Sequence, residues 1–383
     1  MRLVLVIAGL EAGGAERVLS TLANGWVAAG HEVHLITWAA AGADFYSLDR
    51  RVRRLGLDLL RPSPHPLVGL WRMATRVRRL RVRLRALQPT LVLSFTTSVN
   101  LETLLACAGL GVPVVVSERT EPGRQVLDRV RRGLRRRLYP RADAVVVQTP
   151  AIAGWFRDRL PGVRLRVIPN PVMPLDSPLA AAAGRPQVMA LGRLVPLKGF
   201  DLLLRAFAGS RAAELGWHLC IVGEGPERAR LEALAGELGI RHRVSLPGLL
   251  ADPGRELARS PIFVLSSRYE GFPNALLEAM MQGCAVVSFA CPSGPAAIVR
   301  DGENGRLVAP EDVTALSAVL DGLLTSPIER VRLGAAARAS LAVYSPARVL
   351  AQWQTLFGAF SAPTGSGRPG HCGTSGDSAR LDR

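Results

Sequence analysis

Several kinds of residue and segment are scarce or missing in this sequence, and each absence disfavours a class of protein. No apolar run approaches the about 18–20 residues that span a bilayer, so we predict no membrane-crossing helix. The five cysteines are an odd number without metal-type spacing, which argues against a disulfide framework and favours a reducing compartment. No Asp-x-Asp pair is present, and we expect no metal centre. We therefore expect a cytoplasmic protein.

Lysine is almost absent, because Lys198 is the only one beside 47 arginines. Residues 1–180 contain 27 arginines and 13 acidic residues, a net charge of +14, whereas residues 181–383 contain 21 basic and 18 acidic residues. A preference for arginine contributes to this charge but does not explain its concentration in one half. We therefore predict an anionic partner for the first half, either a membrane surface or a phosphorylated acceptor. Nucleic acid is disfavoured, because the basic stretches lack interleaved aromatic residues and a known binding motif.

Short apolar, β-branched runs alternate with helical periodicity through most of the chain, a pattern typical of βαβ units and parallel sheets. The length of 383 residues predicts two domains. A proline-rich break at residues 168–174 separates two series of such units. We predict an α/β fold with two Rossmann-like domains, 1–172 and 173–345, that face a central cleft. Residues 361–383, rich in Gly, Ser and Pro, are predicted to form a disordered tail.

The opening residues 1–8 are predicted to form a buried strand. A signal peptide is the alternative, but Glu11 and the pair Gly13-Gly14 interrupt the apolar run that it would need. The strands that we predict are Arg2–Ala8, His31–Thr37, Thr90–Phe95, Val112–Ser117 and Ala142–Gln148 in the first domain, and Gln187–Leu191, Trp217–Val222, Arg243–Leu246, Ile262–Leu265 and Ala285–Phe289 in the second.

The strongest site signal lies in residues 269–278, directly after a predicted strand of the second domain. Pro273 suits the first turn of a helix, whose positive end would bind a phosphate. Glu270 precedes this turn and Glu278 lies inside the helix, so they suit hydroxyl recognition at the sugar end and the ribose end of a diphosphate. A structural alternative is that the glutamate at the helix start complements the helix dipole and that the other is a solvated residue on the helix face. The amides that we expect to be free at the helix start belong to Asn274, Ala275 and Leu276.

A second signal, residues 192–199, follows the first strand of the second domain and contains Arg193 and Lys198. A lysine acts on phosphate as a point charge and an arginine as a planar fork. Together these two cations would neutralise a diphosphate leaving group without a metal. The structural alternative is a lysine at a helix start in a glycine-rich turn.

Gly13 and Gly14 follow the first strand of the first domain, where glycines allow a ligand to approach the backbone closely at a helix start. The full G-x-G-x-x-G spacing is missing, and no acidic residue ends the second strand. Both absences disfavour a nicotinamide dehydrogenase. Gly223 and Gly225 are expected to form a strand-to-helix turn beside the nucleotide.

Together these segments resemble the family 4 glycosyltransferases, which have the GT-B architecture, from residue 1 to residue 360. The resemblance is carried by Gly13-Gly14-Ala15-Glu16, Gly192-Arg193 with Lys198-Gly199, Val222-Gly223-Glu224-Gly225-Pro226, Glu270 with Glu278 after seven residues, and Asp301-Gly302-Glu303-Asn304-Gly305-Arg306-Leu307-Val308. It implies retaining transfer from a nucleotide sugar that the second domain binds, with no metal and no other cofactor. It also implies that a last helix, residues 346–360, crosses back onto the first domain.

By the same resemblance, Arg193 and Lys198 hold the diphosphate and act in catalysis together with Glu270, which holds the transferred sugar. Glu278 holds the ribose. The backbone at Gly13 and Gly14 approaches the donor from across the cleft. The remaining donor-binding positions implied are Asn274, Ala275 and Leu276 at the helix start.

The sequence departs from the family pattern at the end of the strand Val112–Ser117. Many members carry a histidine at such a position, where it touches the sugar, but this chain continues with Glu118 and Arg119. We treat these two residues as site candidates, and the identity of the sugar is open.

Two basic segments of the first domain bear on the acceptor. Residues 70–85 are amphipathic at helical spacing, and residues 129–137 are rich in arginine. Each is either a surface helix packed on the sheet or a surface that meets anionic headgroups. We predict a peripheral protein on the inner face of the cytoplasmic membrane. The apolar stripe of the first segment consists of Leu70, Met73, Val77, Leu80, Leu84 and Leu87.

The predicted function is transfer of a hexose or an N-acetylhexosamine from a UDP-sugar to a polyprenyl-diphosphate-linked glycan in polysaccharide biosynthesis. One alternative is a GT-B enzyme with a soluble acceptor, such as a glucan-type synthase. A second is a nucleotide-sugar epimerase. A non-catalytic protein that binds nucleic acid would need only the arginines and would tolerate loss of Lys198 and Glu278.

Overall fold

The structure is a computed structural model that describes residues 1–42, 44–61, 65–172, 186–250 and 252–360. Two parallel β-sheets with helices on both faces make up these residues. The fold is therefore the predicted α/β arrangement. Most of the predicted linker and the predicted tail, residues 361–383, lie outside the described residues.

The first domain is built on a seven-stranded sheet in the order β3-β2-β1-β4-β5-β6-β7, with every neighbouring pair parallel. Its central strands read as continuous apolar runs because helices cover both faces, whereas its two edge strands contain arginines and are partly exposed. The strands are β1 (Arg2–Ile7), β2 (Glu32–Thr37), β3 (Arg53–Gly56), β4 (Leu91–Phe95), β5 (Val114–Ser117), β6 (Ala144–Val147) and β7 (Leu165–Val167). The helices are α1 (Gly14–Ala28), α2 (Pro66–Leu87), α3 (Thr97–Cys107), α4 (Arg129–Leu138) and α5 (Pro150–Arg159).

The second domain is built on a six-stranded parallel sheet in the order β10-β9-β8-β11-β12-β13. Its strands are β8 (Gln187–Leu191), β9 (His218–Val222), β10 (Val244–Gly248), β11 (Ile262–Leu265), β12 (Ala285–Phe289) and β13 (Arg306–Val308). Its helices are α6 (Phe200–Ala208), α7 (Arg228–Glu237), α8 (Gly254–Arg259), α9 (Asn274–Met281), α10 (Val313–Thr325) and α11 (Pro327–Ala339).

The strand order reverses at one point in each sheet, between β1 and β4 in the first and between β8 and β11 in the second. Ligands of open α/β sheets bind outside the carboxyl ends of the strands at such a point. The loops that follow β1, β8 and β11 contain the three predicted site segments, so the topology places all three where a ligand is expected.

The last helix, α12 (Pro346–Gly358), packs against α1 of the first domain, as the family resemblance implied. The ring of Trp353 meets that of Trp26 edge-on, with centroids 5.8 Å apart, and Phe357 lies 5.1 Å from Trp26. All three side chains are almost completely buried, so this contact is part of the core of the first domain.

The apolar stripe of α2 is only partly buried. Leu80 and Leu84 lie in the core between helices and sheet, with Val77 and Leu87 packed beside them. The start of the helix behaves differently, because Leu70 and Trp71 are exposed. The sheet-packing interpretation therefore holds for the second half of α2. None of the described helices is both long enough and apolar enough to cross a membrane.

Candidate active site

The contact between Lys198 and Glu270 is the centre of the second-domain site. The Lys198 Nζ donates to Glu270 Oε1 at 2.6 Å, and the Ser267 hydroxyl donates to the same oxygen at 2.7 Å. Glu270 is almost completely buried and follows β11, whereas Lys198 lies in the loop after β8. The structure thus brings together two predicted catalytic residues from neighbouring strand ends.

Gly199 allows these two loops to pack against each other. Its backbone is left-handed, with φ of 61°, and a Cβ there would lie 2.1 Å from the carbonyl oxygen of Ser266. The Ser266 hydroxyl also donates to the carbonyl oxygen of Lys198 at 2.9 Å. Only glycine meets both requirements without displacement, because a side chain disfavours this φ and would collide with the backbone. The geometry of Lys198 therefore depends on its glycine neighbour.

Helix α9 starts one residue later than predicted. Pro273 has φ of −83° and ψ of 87° and precedes the helix instead of occupying its first turn. The amide of Leu276 donates to the carbonyl oxygen of Pro273 at 3.1 Å, because the first turn is tight. The prediction that the Leu276 amide is free was therefore wrong. The amides of Asn274 and Ala275 make no hydrogen bond within the described residues, so two of the three amides predicted to be free meet that expectation.

Glu278 is buried on α9 and meets a residue of the first domain. The guanidinium of Arg17, on α1, donates to Glu278 Oε1 across 261 positions of sequence. Burial raises the pKa of Glu278, and the charge and hydrogen bond of Arg17 oppose that rise. The structural alternative, in which Glu278 is a solvated glutamate on the face of the helix, is therefore wrong.

Gly14 lies opposite the start of α9. Its carbonyl oxygen accepts a hydrogen bond from the Asn274 side-chain amide at 3.2 Å, and a Cβ on Gly14 would lie 3.1 Å from that nitrogen. A Cβ on Gly13 would lie 2.2 Å from the carboxylate of Glu16, which folds back over the start of α1. The glycine pair thus faces the second domain, as expected, but the Glu16 carboxylate lies beside it.

Arg193 is exposed at the edge of the cleft, in the loop after β8. Its charge lowers the pKa of Glu16, whereas burial of that carboxyl group raises it. The two predicted diphosphate-binding residues differ in their surroundings: Lys198 contacts Glu270, whereas Arg193 is exposed and its charge acts on Glu16 of the first domain.

Arg119 and Glu118 follow β5 on the first-domain side of the cleft. Arg119 donates to the Asn170 side-chain oxygen, and its guanidinium lies 3.7 Å from the centre of the Phe95 ring. Burial lowers the pKa of Arg119 to about 9. Glu118 points into the domain and accepts from Thr97 at 2.5 Å and Tyr139 at 2.7 Å. Arg119 therefore lies at the cleft, whereas Glu118 is buried in the first domain beneath it.

The sequence analysis assigned no role to Arg17, Asn170 or Ser267. Asn170 donates to the side-chain oxygen of Asn274 at 2.7 Å, and the other two residues hold Glu278 and Glu270. Arg17 stands four residues after Gly13, one helical turn into α1, and this spacing was the one available signal.

The described residues contain no cluster of metal-binding side chains at this site. Within the part of the chain that the structure describes, no group of three His, Cys, Asp or Glu side chains is placed to hold a metal ion. Cys107, Cys220, Cys284 and Cys291 are buried free thiols, and Cys372 lies outside the described residues.

Two protein-family models match adjoining parts of the chain. The model described as Glycosyltransferase Family 4 matches residues 12–174, and the model described as Glycosyl transferases group 1 matches residues 175–340. Together they cover residues 12–340, which include every strand except β1 and all the predicted site residues from Gly13 to Glu278. The chain belongs to the family 4 glycosyltransferases.

Relatives of this glycosyltransferase come from bacterial glycan synthesis. An exopolysaccharide phosphotransferase of Streptomyces coelicolor is 34% identical over 57% of this chain, but the match spans only 23% of that relative. The Campylobacter jejuni GalNAc-α-(1→4)-GalNAc-α-(1→3)-diNAcBac-PP-undecaprenol α-1,4-N-acetyl-D-galactosaminyltransferase is 26% identical over 93% of this chain and 98% of its own length.

Solved structures agree on the GT-B fold of this glycosyltransferase. A sucrose-phosphate synthase from Thermosynechococcus elongatus superposes with a TM-score of 0.80 at 21% identity, over 94% of this chain and 98% of that chain. The Anabaena protein HepE, in complex with UDP and glucose, superposes with a TM-score of 0.77 at 18% identity, over 94% of this chain and 100% of that chain. At these identities the likeness concerns the fold alone.

Proposed function

We propose that this glycosyltransferase transfers a hexose or an N-acetylhexosamine from a UDP-sugar to a polyprenyl-diphosphate-linked glycan, with retention of configuration and without a metal. The observation that carries the donor half is the meeting of Lys198, Glu270 and the start of α9 at the point where the second sheet reverses its strand order.

The donor diphosphate is proposed to lie against the amides of Asn274 and Ala275, at the positive end of α9. Lys198 lies within reach of the same region because it already contacts Glu270. When the diphosphate binds, the Lys198 ammonium exchanges part of its contact with Glu270 for a phosphate oxygen. Glu270 then accepts hydrogen bonds from hydroxyls of the transferred sugar.

In the chemical step, the bond between the anomeric carbon and the diphosphate oxygen breaks, and a bond to the acceptor oxygen forms on the same face of the sugar. The acceptor proton passes to the departing diphosphate oxygen, so no separate base is required. Negative charge develops on the leaving diphosphate, where Lys198, Arg193 and the start of α9 stabilise it. These groups supply the charge that a metal ion supplies elsewhere.

The acceptor half of the proposal draws support from the relatives and from the surface of the first domain. The Campylobacter enzyme is named for a substrate linked through diphosphate to undecaprenol. Here α2 and α4 both lie next to α3: Arg76, in the middle of α2, donates to Glu102 of α3 at 2.6 Å, and the charge of Arg131 of α4 opposes the rise in the pKa of Glu102 that burial causes.

We define the α2–α4 surface by exposed residues of the first turns of α2 and of the segment 124–132, which leads into α4. Trp71 is 68% exposed and Val126 is 97% exposed, an unusual degree for large apolar side chains. Arg124 and Arg129 are exposed on either side of Val126 in the sequence, and Arg72 follows Trp71, so charge complementarity favours an anionic membrane surface. The protein is therefore proposed to act at the inner face of the cytoplasmic membrane. The α2–α4 surface consists of Leu67, Leu70, Trp71, Arg124, Val126, Arg129, Val130 and Arg132.

A thermal-shift series with UDP, GDP, ADP and dTDP tests the donor site on the wild type and on Lys198→Ala. A nucleotide at about 100 times its dissociation constant adds about 2.7 kcal/mol to the free energy of unfolding. We expect a shift with UDP that Lys198→Ala abolishes and that EDTA leaves unchanged. Arg332→Ala, which removes an exposed ion pair with Glu329 on α11, is the matched control. No shift with any nucleotide would overturn the donor assignment.

An assay of the reaction product tests the proposed acceptor and the proposed retention of configuration. With a polyprenyl-diphosphate-linked acceptor, we expect sugar transfer whose new anomeric centre has the configuration of the donor, as read from NMR coupling constants. Transfer to soluble glucans alone would instead favour the glucan-type synthase. Inverted configuration would overturn the retaining assignment.

A further inference from the structure

We propose that Arg17 is a positioning residue, which holds the Glu278 carboxylate in the orientation that accepts the hydroxyls of the donor ribose. This inference rests on the proposed function, in which Glu278 binds ribose. It assigns to a first-domain helix a direct part in nucleotide recognition by the second domain.

The geometry places Arg17 and Glu278 together in the lining of a small cavity between the domains. Arg17 Nη1 donates to Glu278 Oε1, and both side chains are largely withdrawn from solvent. The cavity is also lined by Val18, Thr21, Asn274 and Leu277. Because Asn274 begins α9, the ion pair and the proposed diphosphate site open onto the same space.

The ion pair with Arg17 leaves Glu278 able to bind a ligand. A carboxylate has about four acceptor positions on its two oxygens. One hydrogen bond to Oε1 fixes the rotation of the carboxylate and leaves acceptor positions for two ribose hydroxyls. A group that is held in one orientation before the ligand arrives loses less freedom on binding.

Charge gives Arg17 a second effect on the same carboxylate. Burial raises the pKa of Glu278, and Arg17 is the group that opposes the rise through its charge and hydrogen bond. Burial raises the pKa of Tyr46, and the charge of Arg17 lowers it while those of Glu278 and Glu16 raise it, so Tyr46 lies within range of the charges of the pair. Arg193 acts on Glu16 at the edge of this group. The ionised form of Glu278 accepts hydrogen bonds at both oxygens, whereas the protonated form has one oxygen that donates, so Arg17 favours the form that is better suited to accept from both ribose hydroxyls.

Arg17 is also expected to set the pH at which nucleotide affinity falls. Without Arg17, burial acts unopposed and the pKa of Glu278 rises further. A larger fraction of Glu278 is then protonated at a given pH, and nucleotide affinity falls as the pH is lowered. In the wild type the same fall begins at a lower pH. A purely structural role of Arg17 would lower affinity equally at every pH.

The test compares UDP with 2′,3′-dideoxy-UDP by titration calorimetry on Arg17→Met, Arg17→Lys and Glu278→Gln. The ratio of the two affinities isolates the ribose hydroxyls, because phosphate and base contacts cancel. In the wild type we expect a preference for UDP of about 10-fold to 100-fold, as hydrogen bonds to a charged group give. Glu278→Gln should reduce this preference, and Arg17→Met should reduce it most at the acid end of the range. Arg17→Lys should restore part of it.

Controls separate the possible failures. Arg332→Met removes an exposed guanidinium and should leave the preference unchanged. If the wild type does not bind UDP, the proposed function fails. If the wild type prefers UDP and Arg17→Met retains the full preference at every pH, Arg17 has no positioning role. If Arg17→Met binds UDP more tightly, Arg17 competes with ribose, and the inference is overturned. Should Arg17→Met not fold, Arg17→Lys carries the test. A preference for UDP between those of the wild type and Glu278→Gln would support the inference, and a preference equal to that of the wild type at every pH would contradict it.

Discussion

The side-chain amide of Asn170 donates to the side-chain oxygen of Asn274 at 2.7 Å and joins the end of the first domain to the start of α9 in the second. Asn274 in turn donates to the carbonyl oxygen of Gly14 at 3.2 Å. The start of α9 is thus held between two first-domain segments that are far apart in sequence. The proposed anion site therefore depends on the relative position of the two domains as well as on α9 itself.

Replacement of Lys198 is predicted to affect turnover strongly. We expect Lys198→Met to lower kcat/KM by about 100-fold to 1000-fold, because a charge that stabilises the leaving diphosphate is lost in a site with little water. Lys198→Arg should recover little, since the loop is tight: a Cβ on Gly192 would lie 3.3 Å from Lys198 Cε. Initial rates with UDP-sugar measure both. Full activity of Lys198→Met would contradict the assignment.

The α2–α4 surface is predicted to bind anionic vesicles. Wild type should co-sediment with vesicles that contain phosphatidylglycerol and not with neutral ones, and the bound fraction should fall as salt is raised. Trp71→Glu should weaken binding, because it places a charge among exposed apolar groups. Val331→Glu, at an exposed apolar position on α11, is the matched control and should bind like the wild type. Absence of binding at physiological salt would remove membrane attachment from the proposal.

Gly199 and Gly216 provide a matched pair for the cost of a side chain in the second domain. Both have positive φ, 61° and 74°, but a Cβ on Gly216 meets nothing within 4 Å, whereas one on Gly199 meets the Ser266 carbonyl at 2.1 Å. We expect Gly216→Ala to lower the free energy of unfolding by about 1–2 kcal/mol and Gly199→Ala by about 2–5 kcal/mol. Urea denaturation measures both. Equal losses would show that the Ser266 contact relaxes freely.

Trp353 is predicted to contribute to the stability of the first domain. Its side chain is buried against Trp26, so Trp353→Ala should lower the free energy of unfolding by about 3–5 kcal/mol. Gln352→Ala changes the neighbouring exposed position of α12 and should have almost no effect. Denaturation followed by the fluorescence of the remaining tryptophans measures the difference. A loss as small as that of Gln352→Ala would mean that α12 is not part of this core.

The sequence predicted the central strands well and missed short strands at the sheet edges. Strands such as β1 and β11 are buried on both faces, so their apolar runs are continuous and easy to recognise. Strands β3, β7 and β13 are edge strands that contain arginines, including Arg53, Arg166 and Arg306. A partly exposed edge strand needs no continuous apolar run, and its sequence resembles that of a loop.

The candidate site was predictable only within each loop. The spacing of Glu270 and Glu278 and the isolation of Lys198 are local features that the sequence displays directly. The pairing of Arg17 with Glu278 joins two domains, and no local pattern specifies it. The amide of Leu276 illustrates a further limit, because one residue of difference in the helix start decides whether a donor is free.

The return of α12 to α1 makes the second domain an insertion within the first. The chain therefore passes between the domains twice, once after residue 172 and once before α12. Any movement of one domain relative to the other must change the backbone at both connections. We expect a segment to unfold together with the segments that it packs against, and not with its neighbours in sequence. In hydrogen exchange, we expect the amides of α12 to open together with those of β1 and α1, more than 300 positions earlier, and not with those of neighbouring α11.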